Sequence, residues 1–156
     1  MTYKKLILAA CLALSAVSTT ACGRGFGIET PDGFAELESN DDYRYRATTA
    51  EGVVLAVRRE DNDPKGGLDF WASAVENELS TRGYEKVTAK DIQSKNGIPG
   101  KQLRYKVSKN GRPNVLWVAV FVTSSRVVVL ETGGDEAHFS HVESKVSQAL
   151  TEFEVS

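Results

Sequence analysis

Val115-Leu-Trp-Val-Ala-Val-Phe-Val122 is apolar at every position. Side chains of a strand point alternately to its two faces, so a strand of this composition needs cover on both. Asn110-Gly111 precedes it and Ser124-Ser125-Arg126 follows, turning the chain back into Val127-Val-Val-Leu130. Asn-Gly is the strongest short hairpin signal, because both residues accept the positive φ that tight turns demand. The sequence therefore predicts an antiparallel sheet whose central strands are buried on both sides.

Working outward, Leu103, Tyr105 and Val107 alternate with Gln102, Arg104 and Lys106, the mark of a half-buried strand, and Asn96-Gly97 implies another hairpin before it. Upstream, Tyr43-Arg-Tyr-Arg-Ala47 also alternates and turns through Ala50-Glu51-Gly52 into Val53–Val57. Pro31-Asp32-Gly33 is a further turn, after which Phe34 and Leu37 are expected to face inward. Between the strand groups, Leu68, Trp71, Ala72, Val75 and Leu79 recur at helical spacing until Gly83, predicting a helix over 68–82. Gly133-Gly134 is expected to open a last helix, with Phe139, Val142, Val146, Ala149, Leu150 and Phe153 on one face.

Strands, helix, strands, helix, joined by tight turns, describe an α+β fold. A sheet buried on both faces with two substantial helices is expected to be an α/β/α sandwich. It has a mostly antiparallel sheet of about six strands and one main helix on each face.

The N-terminus reads as an export signal. Lys4 and Lys5 precede an apolar run from Leu6 to Val17, too short to span a bilayer, and Ser18, Thr19, Thr20 and Ala21 lead to Cys22. Ala21-Cys22 resembles the lipobox of bacterial lipoproteins, in which cleavage follows the small residue and the thiol of the next Cys is acylated. Thr19 stands where that motif usually has Leu. Leu8-Ala9-Ala10-Cys11 matches the letters better, but cleavage there would leave the apolar segment too short to work. The resemblance implies cleavage after Ala21 and lipidation of Cys22; the glycines that follow make 22–27 an expected flexible tether, with a domain expected over 28–156. Gly23 stands where an Asp would retain an enterobacterial lipoprotein in the inner membrane, so the resemblance implies the outer membrane or the periplasmic face.

Cysteine usage agrees, since removal of 1–21 leaves Cys22 as the single thiol in an oxidising compartment, and acylation accounts for it. The remaining 135 residues carry 17 basic and 21 acidic side chains, because Lys4 and Lys5 are the leader's only charges. A net charge of −4 without a basic run disfavours nucleic acid as a partner, so the membrane is expected to be met through lipid alone.

Ile28, Pro31-Asp32-Gly33-Phe34, the helix after a hairpin, Gly97-Ile98-Pro99-Gly100 before Leu103-Arg104-Tyr105, and the final strand–helix pair together resemble the PsbP-like superfamily. That superfamily includes extrinsic photosystem II proteins and bacterial lipoproteins of the DcrB and LpqN type. The resemblance runs from Ile28 to Val155 and implies a non-enzymatic accessory or binding protein.

Candidate chemistry is sparse. His138 and His141, with Asp135, Glu136 and Glu143 nearby, look at first like a metal cluster. Helical geometry sets His138 on the flank of the apolar face and His141 in solvent, while Asp135 and Glu136 suit the free amides of a first helical turn. Two local ligands do not make a site. Asp61-Asn62-Asp63 with Gly66 resembles the start of a calcium loop, but Lys65 and Ala72 stand where ligands are needed. Glu36, Glu38, Asp41 and Asp42 read as a solvated edge, and Trp71 and Trp117 as core. Arg44, Arg46, Arg104 and Lys106 would form a basic patch if their strands were neighbours. The chain contains no Gly-x-Ser-x-Gly elbow and no phosphate or dinucleotide fingerprint. Gly23-Arg24-Gly25-Phe26-Gly27 lacks the flanking strand and helix that a nucleotide loop needs.

The expectation is a non-catalytic, lipid-anchored envelope module with no cofactor that works through an envelope protein partner. The alternative is a small-ligand or metal-binding lipoprotein, with His138 as the place to look.

Overall fold

A computed structural model describes residues 25–156; the expected signal segment, cleavage residue Ala21 and lipidation residue Cys22 lie outside the described residues. Its main sheet has seven antiparallel strands. These are β2 (Ala35–Leu37), β3 (Tyr45–Thr48), β4 (Val54–Asp61), β5 (Glu85–Gln93), β6 (Pro99–Lys109), β7 (Arg112–Val122) and β8 (Arg126–Asp135), ordered β2-β3-β4-β8-β7-β6-β5. Helix α1 (Leu68–Thr81) lies on one face and α2 (Glu136–Glu152) on the other. The expected α/β/α sandwich is therefore present, and its one additional strand is the short, exposed β2. Leu37, expected to face inward, is in fact an exposed residue of that edge.

As its sequence requires, β7 is covered on both sides. Trp117, Ala119 and Phe121 pack under α2 with Leu55, Leu130, Phe139, Val146 and Phe153. Val118 and Val120 pack under α1 with Leu79, Leu103, Tyr105 and Val129. Full burial of each of these larger apolar side chains is worth roughly 1.5–3 kcal/mol.

Two sequence expectations are corrected. Gly133 and Gly134 do not open α2; β8 continues through them to Asp135, whose carboxylate caps the helix by accepting from Ala137 N at 3.0 Å. Gly133 is required inside the strand, because a Cβ there would lie 2.5 Å from the Val115 carbonyl oxygen. The segment expected to be a tether is also partly folded. Phe26–Gly27 (β1) pairs antiparallel with Glu154–Val155 (β9), and the Phe26 and Phe153 rings stack 5.9 Å apart.

The sandwich has two ends. The upper end carries the turn between β3 and β4, the β6–β7 hairpin and the start of α2. The lower end carries the 62–67 loop, the start of α1, the 94–98 and 123–125 turns and the β1–β9 pair.

Candidate functional site: a groove beside helix α1

Helix α1 packs chiefly on β5, β6 and β7, whereas α2 packs on β7 and β8. Val127 and Val129 at the lower end of β8 still lie under α1, but the α1-side face of β3 and β4, and of β8 from Glu131 upward, is left without a helix, and a groove runs along it. Two adjoining cavities, of about 370 and 360 Å³, share Tyr43, Tyr84, Leu116 and Glu131 in their walls. Val54, Ala56, Leu116 and Gly133 form the apolar floor of the upper one. Val54 is 41% exposed, so solvent reaches this floor through Val54 and the half-buried Leu116.

Strand alternation puts the polar groups there. Leu55 and Val57 point to the α2 side, so Ala56 and Arg58 point to the groove, as does Glu131, which pairs with Ala56 across the β4–β8 ladder. Arg58 reaches diagonally to Glu131, with Nη2 to Oε1 at 2.6 Å. Tyr43 donates its hydroxyl to the other carboxylate oxygen at 3.2 Å. Burial, and then the Glu131 charge, raise the Tyr43 pKa above the ordinary phenol value. Burial works against the Arg58 charge, but the Glu131 carboxylate outweighs it and holds the guanidinium protonated. Arg58 Nε is buried and has no hydrogen-bond partner among the described residues.

Tyr84 owes its place to the end of α1. Gly83 adopts φ +80, and Tyr84 N donates to the Leu79 carbonyl at 3.0 Å, a left-handed helix stop that swings the ring over the groove. There it meets Tyr105 edge-on at 6.3 Å, and Lys109 Nζ lies 5.8 Å from its centroid. The upper cavity carries Arg46 and Lys109, and the lower one carries Asp42, Glu60, Glu78 and Arg82. The groove is therefore basic at one end and predominantly acidic at the other.

The residues singled out in the sequence lie elsewhere. His138 is half-buried and His141 exposed on α2, across the sheet from the groove. Among the described residues no three His, Cys, Asp or Glu side chains are grouped to hold a metal. The suggested basic patch does not assemble, because β3 and β6 are not neighbours. Arg104 instead lies 3.7 Å from the Trp117 centroid, and Lys106 pairs with Glu136 at 2.9 Å. The calcium-like loop is closed by Asn62. Its Oδ1 accepts from Gly66 N (2.9 Å) and Trp71 Nε1 (2.8 Å), while its Nδ2 donates to the Gly66 and Thr123 carbonyls (3.1 and 3.0 Å). Trp71 is accordingly half-buried rather than fully enclosed, and Trp117 is core.

No known family model matches the sequence, and neither does any curated protein. Solved structures do match its fold. LpqN, involved in cell envelope biogenesis of Mycobacterium tuberculosis, superimposes with TM-score 0.67 at 15% identity, over 84% of this chain and 83% of that one. PA94 of Pseudomonas aeruginosa, a protein of unknown function described as a putative regulator, gives 0.57 at 14% identity over 79% and 82%. The cyanobacterial PsbP of Synechocystis sp. PCC 6803 gives 0.57 at 14% identity over 85% and 87%. With its two helices on an antiparallel sheet, the chain thus shares the PsbP-like fold with these proteins.

Proposed function

We propose that the protein is a non-catalytic lipoprotein of the bacterial envelope, acylated at Cys22, whose groove beside α1 receives a segment of an envelope protein partner. One observation carries this reading. The fold leaves the α1-side face of β3 and β4 without a helix, with an apolar floor in the upper cavity and opposite charges at the groove's two ends. Such a surface suits an extended segment with an acidic residue at the Arg46–Lys109 end and a basic residue near Glu60 and Glu78. Similarity in fold to an envelope protein supports the compartment. The lipid would confine the domain to two dimensions and raise its effective concentration near such a partner. Among the described residues no helix is long and apolar enough to cross a membrane.

The test is metabolic labelling with radioactive palmitate followed by fractionation. Cys22 is expected to incorporate label and to hold the chain in the membrane fraction, and Cys22→Ala to abolish both. Unchanged membrane retention of Cys22→Ala would refute the anchor.

A second reading is favoured by the buried, unpartnered Arg58 Nε beside an apolar floor: the groove holds a small ligand with an acceptor atom for that donor. Native mass spectrometry of protein taken from its own envelope separates the two, since a retained small molecule would select this reading.

A further inference from the structure

Resting on acylation at Cys22, we infer that the lower end of the sandwich docks on the bilayer surface through Phe70, which fixes the domain's orientation and turns the upper, basic end of the groove away from the membrane. Gly25 is the first described residue, and its carbonyl accepts from Ser156 N at 3.0 Å, so the chain enters the fold at the lower end. Gly23 and Arg24 alone separate Cys22 from Gly25, and the three steps from Cα to Cα span about 11 Å at full extension. An acyl group at Cys22 therefore leaves the lower end no room to stand clear of the headgroups.

That same end presents apolar surface. Phe70, in the first turn of α1, is 52% exposed, with its ring lying over Gly66 in the adjoining loop. Side chains of a helix lean towards its N-terminus, which here is the lower end. Pro64, in the 62–67 loop, and Pro99, at the start of β6, are exposed at the same end. The charges of this end are largely satisfied within the protein. Asp61 pairs with Arg126, Lys95 with Glu154, Asp69 with Lys101, and Lys65 donates to the Ser124 carbonyl. Docking is therefore driven by burial of apolar groups at the interface, not by anionic lipid.

Gly67 has open space around the position of an added Cβ, so Gly67→Cys accepts a label beside Phe70 without strain, and Thr81→Cys labels the opposite end of α1. Full-length protein purified from membranes is labelled with the fluorophore NBD at either site. It is then bound to vesicles of phosphatidylcholine, with and without phosphatidylglycerol, and exposed to dithionite. Flotation is expected throughout. Dithionite reduction is expected to be slowed several-fold at Gly67→Cys but not at Thr81→Cys, equally in both vesicle types, and Phe70→Glu should restore full accessibility at Gly67→Cys without loss of flotation. Flotation with equal accessibility at the two sites overturns docking and leaves the anchor standing. Protection confined to anionic vesicles overturns the apolar mode, and failure to float overturns both anchor and docking.

Discussion

Arg58 and Glu131, 73 residues apart in sequence, meet at 2.6 Å in the wall of the groove, and Glu131 also accepts from Tyr43. Their side chains are 32% and 22% exposed, so the pair is only partly screened by water. Removing the carboxylate would leave a half-buried guanidinium whose Nε already lacks a partner. Glu131→Ala is expected to cost about 1–3 kcal/mol in urea denaturation, a range lowered from that of fully buried pairs because solvent reaches both groups. Arg82→Ala, which breaks the exposed i,i+4 pair with Glu78, is expected to cost no more than about 0.5 kcal/mol. Equal effects from the two variants would show that the groove pair is solvent-screened like the other.

Asn62 satisfies four partners at once and ties the 62–67 loop to the β7–β8 turn and to the Trp71 indole. Asn62→Ala strands two donors and two acceptors, and is expected to cost about 2–4 kcal/mol by thermal or urea unfolding. Asn62→Asp keeps the two accepting interactions but cannot donate to the carbonyls of Gly66 and Thr123, so it too is expected to destabilise. A wild-type melting temperature for both variants would contradict the structural role of Asn62.

Tyr105 is 2% exposed, and its hydroxyl has no hydrogen-bond partner among the described residues. Burial, with a smaller contribution from the Glu76 charge, pushes its pKa up to about 12. Because the folded value lies above the unfolded one, its contribution is fully present below about pH 10 and declines as the pH rises through about 12, since the unfolded chain ionises first. Tyr105→Phe is expected to leave neutral-pH stability unchanged or to raise it by up to about 1 kcal/mol, and to flatten the alkaline loss. A loss above about 1 kcal/mol at pH 7 would mean the hydroxyl has a partner after all.

Gly133 lies in the groove floor, with the Val115 carbonyl oxygen 2.5 Å from where a Cβ would stand. Gly133→Ala is expected to push β7 and β8 apart at that point and to cost about 1–3 kcal/mol, measurable by denaturation. Gly67→Ala, which meets open space, is expected to be close to neutral. Indistinguishable stabilities would show that the Val115 carbonyl does not crowd the Gly133 Cα.

The doubly apolar 115–122 segment, the Asn-Gly turns and the helical spacing of Leu68 to Leu79 were enough to reveal the sandwich, because each is a local pattern with a fixed period. The groove was not legible in the same way. It exists because α1 sits over β5–β7 and stops short of β3–β4, an offset set by packing that no single segment encodes. Arg58 reads in sequence as one more charged residue at the end of a strand, and only the β4–β8 register puts Glu131 beside it. Asn62 reads in sequence as a potential ligand residue; its part in closing a loop depends on Thr123 and Trp71, distant in sequence or on the next helix, lying beside it. Gly133 and Gly134 read as a helix start because glycine pairs usually interrupt strands, whereas here their missing side chains allow β7 and the β3–β4 turn to come close.

Site-specific photo-crosslinking in living cells tests most directly whether the groove is the working surface of an anchored module. A photoreactive residue at Val54 faces the groove, one at Thr88 sits on the far edge strand, and each is compared with and without Cys22→Ala. A single envelope protein joined through Val54, absent from Thr88 and sharply reduced by Cys22→Ala, is the expected result. Adducts that are the same from both positions, or unaffected by loss of Cys22, would contradict it.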